Sequence, residues 1–147
     1  MTDGDEYSTD ATPVHLMLRE VWSTGDLALI DELVVEDHVQ HDPVLAEPVR
    51  GRTAIKAAID RFRTGIPDLR KDIVETYVDD GTVIVEYIAT GTHEGELLGV
   101  APTGRRLSAD GIYLSHVDDG KLVESTDMWD AFGVHRQIET GPTGPRN

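Results

Sequence analysis

The residues best suited to chemistry sit in one stretch, Ser108 to Asp130 (SADGIYLSHVDDGKLVESTDMWD). It reads as two strands around the turn Val117-Asp118-Asp119-Gly120-Lys121. Asp-Asp-Gly suits a three-residue connection with Gly120 in the left-handed conformation. That register sets Val117 across from Lys121, Tyr113 across from Ser125 and Gly111 across from Asp127. Strand side chains alternate between faces. Gly111, Tyr113, Val123, Ser125, Asp127 and Trp129 are therefore expected on one face. A carboxylate then lies beside a phenol, a hydroxyl and an indole, over a glycine that leaves room. Such a carboxylate can take an acidic proton next to a carbonyl and return it to a developing oxyanion. Apolar walls strengthen a carboxylate as a base, because burial disfavours the charged form. Asp127 is the candidate catalytic acid/base, with Trp129 as wall and Tyr113 as hydrogen-bond donor to an enolate or alkoxide. The competing reading is a solvated or hydrogen-bonded strand Asp and a core Tyr in a very acidic chain. The opposite face is expected to carry Ile112, Leu114, His116, Leu122, Glu124, Thr126, Met128 and Asp130. Asp130 is the alternative acid, turned inward only by a bulge or by the start of a terminal helix. His116 faces away from Asp127 and suits a surface or interface role.

Other polar candidates lie on other elements. Gln40 is placed to orient a carbonyl. His41 is its neighbour, and adjacent strand residues do not both point inward unless the segment bends. Tyr87, Ala89, Gly91 and His93 share a face if their strand runs unbroken, which brings Tyr87 and His93 to the same cavity. Otherwise His93 ties down the Gly-rich loop after it. Trp22 and Phe62 suit core or cavity wall. Glu36, Asp37, His38, His41 and Asp42 invite a metal reading, but His38 and His41 point to opposite faces of a strand and do not converge. No metal and no cofactor is expected, and the glycines at 91, 95, 99 and 104 lack the G-x-x-x-x-G-K-[ST] pattern of a phosphate loop.

The elements that must position these residues follow in order. Residues 1–11 read as a disordered acidic lead, 12–138 as one domain and 139–147 as a flexible tail. Thr12-Pro13 reads as the start of a helix, with Val14, Met17, Leu18, Val21 and Trp22 as its apolar stripe and Gly25 as its end. Asp26 is expected to cap a short second helix over LALIDELV. An extended segment, 37–42, leads to a Pro-rich loop. Thr53 opens a third helix with Ile55, Ala58, Ile59 and Phe62 inward, stopped by Gly65-Ile66-Pro67. Ile73 to Val78 and Thr82 to Thr92 flank another Val-Asp-Asp-Gly turn, and Ala131 to Ile138 reads as a terminal helix. Helices first and strands after predict an α+β fold rather than alternating α/β. A curved antiparallel sheet wrapped on three N-terminal helices leaves a cone-shaped cavity suited to a ligand.

Composition narrows the partners. The chain has 147 residues, enough for one domain with a real core, and no Cys. Disulfides and Cys-based zinc sites are excluded, and an intracellular setting is the simplest reading. The N-terminus lacks the pattern of a signal peptide and no stretch reaches membrane-spanning length, so a cytoplasmic protein is expected. Asp plus Glu total 28 against 13 Lys plus Arg, a net charge of −15, and only Lys56, Lys71 and Lys121 are lysines. Nucleic acid and anionic membrane are poor partners for such a charge. An acid-rich, Lys-poor chain fits a salt-rich cytoplasm, where screening weakens self-repulsion. The apolar residues Ile112, Leu114, Leu122 and Met128 on the outer sheet face predict a homodimer through that face.

The segments GTHEGELLGVAPTGRRLS, VDDGKLVES and DMWDAFGVHRQI, with WSTGDLALIDELVVEDHVQHDP and IPDL at 66–69, resemble the SnoaL-like polyketide cyclase and ester cyclase family over residues 13–138. The resemblance implies the cone-shaped α+β fold shared with nuclear transport factor 2 and ketosteroid isomerase. It also implies ring closure by intramolecular aldol condensation, without metal or organic cofactor, with an Asp as acid/base. In the family pattern this Asp lies seven residues beyond the turn glycine, and counting from Gly120 gives Asp127. Its neighbours depart from the cyclase pattern: Tyr113 stands where the cyclase has a His, Gln40 where it has an Asn, and Thr126 where many relatives have a Trp. The expected function is thus acid/base chemistry on a hydrophobic carbonyl compound, by cyclisation or a related isomerisation. The alternative is a non-catalytic small-molecule binding module on the same fold.

Overall fold

Apolar spacing in the first half of the chain builds helices, and β-branched alternation in the second half builds strands. The computed structural model describes residues 4–140, with side chains from residue 9 on. Helix α1, Gly4–Leu16, continues as a wider π-helical segment, Met17–Trp22. Val14, Met17, Leu18, Val21 and Trp22 are all buried, as their spacing predicts. The helix starts earlier than expected: Thr12-Pro13 lies inside it, and residues 4–11 of the expected disordered lead are helical. Residues 1–3 of that lead lie outside the described residues. Gly25 (φ +84°) ends the helix by donating its N–H to Val21 O at 3.0 Å.

A 3₁₀ turn, Leu27–Leu29, runs into α2, Ile30–Leu33, and the Asp26 side chain does not cap it. Helix α3, Arg52–Gly65, follows Gly51 (φ +88°) rather than opening at Thr53, and buries Ile55 and Ile59. Helix α4, Ala131–Thr140, closes the described chain, so 139–140 are helical and the rest of the expected tail lies outside the described residues. Asp130 is the cap of α4: its Oδ1 accepts the Gly133 N–H at 2.8 Å. Its side chain is exposed.

Among the described residues, six strands form one sheet in the order β2-β1-β6-β5-β4-β3. Strands β3 (Arg70–Asp79), β4 (Thr82–Thr92), β5 (Arg106–Asp118) and β6 (Lys121–Trp129) make the expected antiparallel meander. Strand β1 (Val34–His41) instead pairs parallel with β6, and β2 (Val49–Arg50) pairs antiparallel with β1. The sheet is therefore mixed at one edge. The whole is the α+β architecture expected, with helices packed on one face of the sheet.

The turns are tighter than expected. Asp79 pairs with Thr82 and Asp118 with Lys121. Both loops are thus two residues long, Asp80-Gly81 (φ +48°, +83°) and Asp119-Gly120 (φ +52°, +78°). Two consecutive positive φ values are the type I′ geometry, whose twist matches that of the strands. A bulge between His116 and Val117 then shifts the register, so Tyr113 faces Asp127, Gly111 faces Trp129 and Ser115 faces Ser125. The expected register is off by two residues. A slip of two preserves the faces, so Gly111, Tyr113, Ser125 and Asp127 still point to the helices. Between turn and bulge the faces swap: Leu122 is fully buried and Val123 is exposed.

A buried polar chain ties β1 to the meander. His38 Nε2 lies 3.0 Å from Ser125 Oγ, which lies 2.7 Å from Ser115 Oγ. All three residues are fully buried and His38 Nδ1 has no partner. Burial, the largest cause, holds the His38 pKa down at about 4, so the ring is neutral. The unfolded chain takes a proton near the ordinary value of 6.5 while the fold does not. Stability from this group is complete above pH 6.5 and is lost as pH falls toward 4. We expect a loss of about 3 kcal/mol across that window. Urea unfolding at several pH values should show it, and His38→Gln should flatten that part of the curve.

Candidate functional site

The floor of the cavity is an ion pair. Asp127 on β6 is 1% exposed. Its Oδ1 accepts the Tyr87 hydroxyl at 2.6 Å and its Oδ2 accepts the Lys71 ammonium at 2.8 Å. Lys71 is the second residue of β3 and is 6% exposed. Its backbone N–H donates to Ser23 Oγ at 2.9 Å, which moors the start of β3 to the end of the first helix. Its Nζ stands 3.5 Å from the Trp22 ring centroid and 4.8 Å from that of Tyr87. A desolvated ammonium over an indole face gains cation–π attraction as well as its carboxylate partner.

Local sequence explains how Tyr87 reaches across. Tyr87 of β4 pairs with Gly111 of β5. A Cβ at 111 would lie 2.2 Å from Tyr87 Cζ and 2.4 Å from its hydroxyl. The space left by this glycine is filled by the Tyr87 ring on its way to Asp127. Burial first, then the Asp127 charge and hydrogen bond, push the Tyr87 hydroxyl far above the ordinary phenol range. Tyr87 therefore keeps its proton and acts as a donor.

Above this floor lies a cleft with a cavity volume of about 60 Å³. Trp22, Phe62 and Trp129 form its aromatic wall, with Phe62 centred 5.9 Å from each indole. Ile66, Leu69, Leu107 and Val134 complete the apolar lining. A second carboxylate, Asp42, lines the same cleft and accepts Trp129 Nε1–H at 3.1 and 3.2 Å and the Val44 N–H at 3.0 Å. Burial raises its pKa, and the Asp127 charge adds to this against those two hydrogen bonds.

The structure brings Asp127, Trp129, Tyr87, Trp22 and Phe62 together in one cleft. It does not bring the other candidates there. Tyr113 is fully buried and faces Asp127 in the ladder, but its hydroxyl donates to Gln40 Oε1 at 3.3 Å, and Gln40 lines a neighbouring cavity that shares Trp22, Asp42 and Phe62 with the cleft. Neither residue lines the cavity that holds Asp127. Ser125 belongs to the His38 chain. His41 turns outward to Glu124 Oε2 at 2.6 Å. His93 lies just past the end of β4, where Nδ1 meets Thr103 Oγ1 at 2.9 Å and ties down the following loop. His116 is on the outer face, 3.3 Å from Thr82 Oγ1. Sequence reasoning missed Lys71 and weighed Asp42 only as a metal ligand. Lys71 hides in a charged run, RKD, at the start of a strand; its one signal was scarcity, as one of three lysines.

The chain matches a known group of proteins. The family model for SnoaL-like polyketide cyclase matches residues 12–138. The chain belongs to this family. Aklanonic acid methyl ester cyclase DnrD from Streptomyces peucetius is 29% identical over 142 residues, covering 90% of this chain and 95% of that protein. Among solved structures, a candidate SnoaL-like polyketide cyclase from Jannaschia sp. CCS1 superposes with a TM-score of 0.85 at 22% identity, covering 92% of this chain and 95% of that one. IdmH from Streptomyces antibioticus, described as a candidate polyketide cyclase, gives 0.78 at 25% identity, covering 89% and 99%. The SnoaL-like fold is thus shared over nearly the whole chain, and the family places this protein with small-molecule cyclases.

The Gly111–Tyr87 contact is testable. Gly111→Ala should destabilise by about 1–3 kcal/mol through overpacking. The same substitution in a Tyr87→Ala background should cost less, because the clashing ring is gone. Urea unfolding of the four proteins in this cycle measures the coupling.

Proposed function

We propose that this SnoaL-like protein is a cofactor-independent enzyme that closes a ring in a hydrophobic carbonyl compound by intramolecular aldol chemistry, with Asp127 as acid/base. The observation that carries this reading is a fully buried carboxylate at the floor of an aromatic cleft, oriented by Tyr87. The carboxylate takes a proton from the carbon next to a carbonyl. The carbanionic carbon attacks a second carbonyl of the same molecule, and the carboxyl returns the proton to the alkoxide formed. The apolar walls exclude water from the intermediate. Tyr87 takes the place beside the acid/base that the strand pattern suggested for Tyr113. Tyr113 and Gln40 support the strands. The relatives named as aklanonic acid methyl ester cyclases support a polyketide ester as the substrate class. Turnover of aklanonic acid methyl ester by the purified protein is the direct assay. Asp127→Asn should fold, by circular dichroism, and lose about 10²–10⁴-fold in turnover. Unchanged turnover in the folded variant would sink the role of Asp127.

We also propose a homodimer through the outer face of the sheet, in a salt-rich cytoplasm. Val74, Tyr77, Ile88, Ile112 and Met128 are 40–55% exposed there, and such a patch is rarely left bare on a monomer. Leu122, expected in this patch, is buried instead. The net charge of −15 and the absence of Cys support the setting. Among the described residues no helix is long and apolar enough to cross a membrane. Light scattering at high salt should give twice the monomer mass, and Ile88→Glu with Ile112→Glu should halve it.

A further inference from the structure

The acid/base reading leaves the cation of the cleft without a task. Lys71 is buried, lines the cleft and contacts Asp127. The other two lysines are less buried: Lys56 pairs with Asp31 at 2.9 Å, and Lys121 follows the β5–β6 turn. Stability alone does not call for a buried ion pair, since apolar residues of similar volume commonly serve as well or better. Tyr87 already orients the carboxylate.

Charge balance supplies the task. At rest the floor holds one ammonium and one carboxylate, 2.8 Å apart. When Asp127 takes an α-proton, the C–H pair becomes part of a C=C bond and the carbonyl pair moves onto oxygen. The carboxylate is then neutral and the substrate carries the negative charge. Without a cation this leaves an enolate uncompensated beside aromatic walls. With Lys71 the floor stays neutral, because the ammonium exchanges its carboxylate partner for the enolate oxygen. An ammonium has three N–H donors. Asp127 Oδ2 takes one, and the Trp22 face steadies the charge 3.5 Å away. A carbonyl oxygen at the floor meets Nζ while its α-carbon lies beside the carboxylate.

We infer that Lys71 is the oxyanion donor of this site, and that the cleft floor is a seat for hydrophobic oxyanions of the enolate and phenolate class. The inference rests on the acid/base role of Asp127 for its place in the reaction, but the anion seat is measured without turnover. After carbon–carbon bond formation the Asp127 carboxyl protonates the new alkoxide, and the Lys71–Asp127 pair is restored with all protons accounted for.

A phenolate is a stable mimic of the enolate, and 4-nitrophenol reports its own ionisation by absorbance. Asp127→Asn imitates the neutral, protonated acid and leaves Lys71 free to bind an anion. This variant should bind 4-nitrophenolate in preference to the phenol, and more tightly than the wild type does. The double variant Asp127→Asn with Lys71→Met should bind the phenolate at least about tenfold more weakly, a change of one unit in the ionisation of the bound probe. Lys71→Met alone strands a buried carboxylate and Asp127→Asn a buried ammonium, and either costs stability, so thermal melts of the single Asn variant and of the double variant check that each is folded before the probe is compared. Equal ionisation of the bound probe in the single and double variants would overturn the inference, as would absence of probe binding to Asp127→Asn. Retained turnover in Asp127→Asn, with a Lys71-dependent phenolate seat, would instead overturn the base and keep the seat.

Discussion

The structure depends on an ion pair that spans the sheet. Lys71 lies on β3 and Asp127 on β6, with β4 and β5 between them. Three strand spacings amount to about 14 Å in a flat sheet, more than these two side chains and a hydrogen bond can bridge. The 2.8 Å contact therefore requires the sheet to curl around its helical layer. Small residues make the curl usable. Ala89 pairs with Ala109 and both line the cleft, whereas the space beside Gly111 is taken by the Tyr87 ring on its way to Asp127.

The same pair sets the electrostatics. Two charges this deeply buried are tolerable because each has the other, and because Tyr87 and Trp22 satisfy what remains. Tyr87 cannot give up its proton in that setting, which makes it a fixed dipole rather than a second acid. Asp42, at the side of the cleft, is held by Trp129 and is pushed toward its neutral form by burial. Two carboxyls in one cleft thus sit in different surroundings, one against a cation and one against an indole N–H.

Support for this floor comes from outside it. Ser23, Tyr113, Gln40 and the His38–Ser125–Ser115 chain do not line the cleft, yet they hold β3, β1 and β6 where the pair needs them. Lys71 and Asp42, by contrast, face the cavity.

Much of the frame was legible in the residues alone. Helical stripes, Asp-Gly turns and strand alternation are local properties of neighbouring residues, so they can be read before folding. Even the misplaced hairpin register left Asp127 on the correct face, since a slip of two keeps the parity of the strand. Alternation says which side chains point inward, but not which of them meet. Tyr113 and Gln40 point inward and miss the cleft, whereas Tyr87 and Lys71 point inward and form its floor. That choice was made by the pairing of Tyr87 with Gly111, by the bulge beside Val117 and by the curl of four strands. It depends on distances across the sheet, which exist only once the strands have come together.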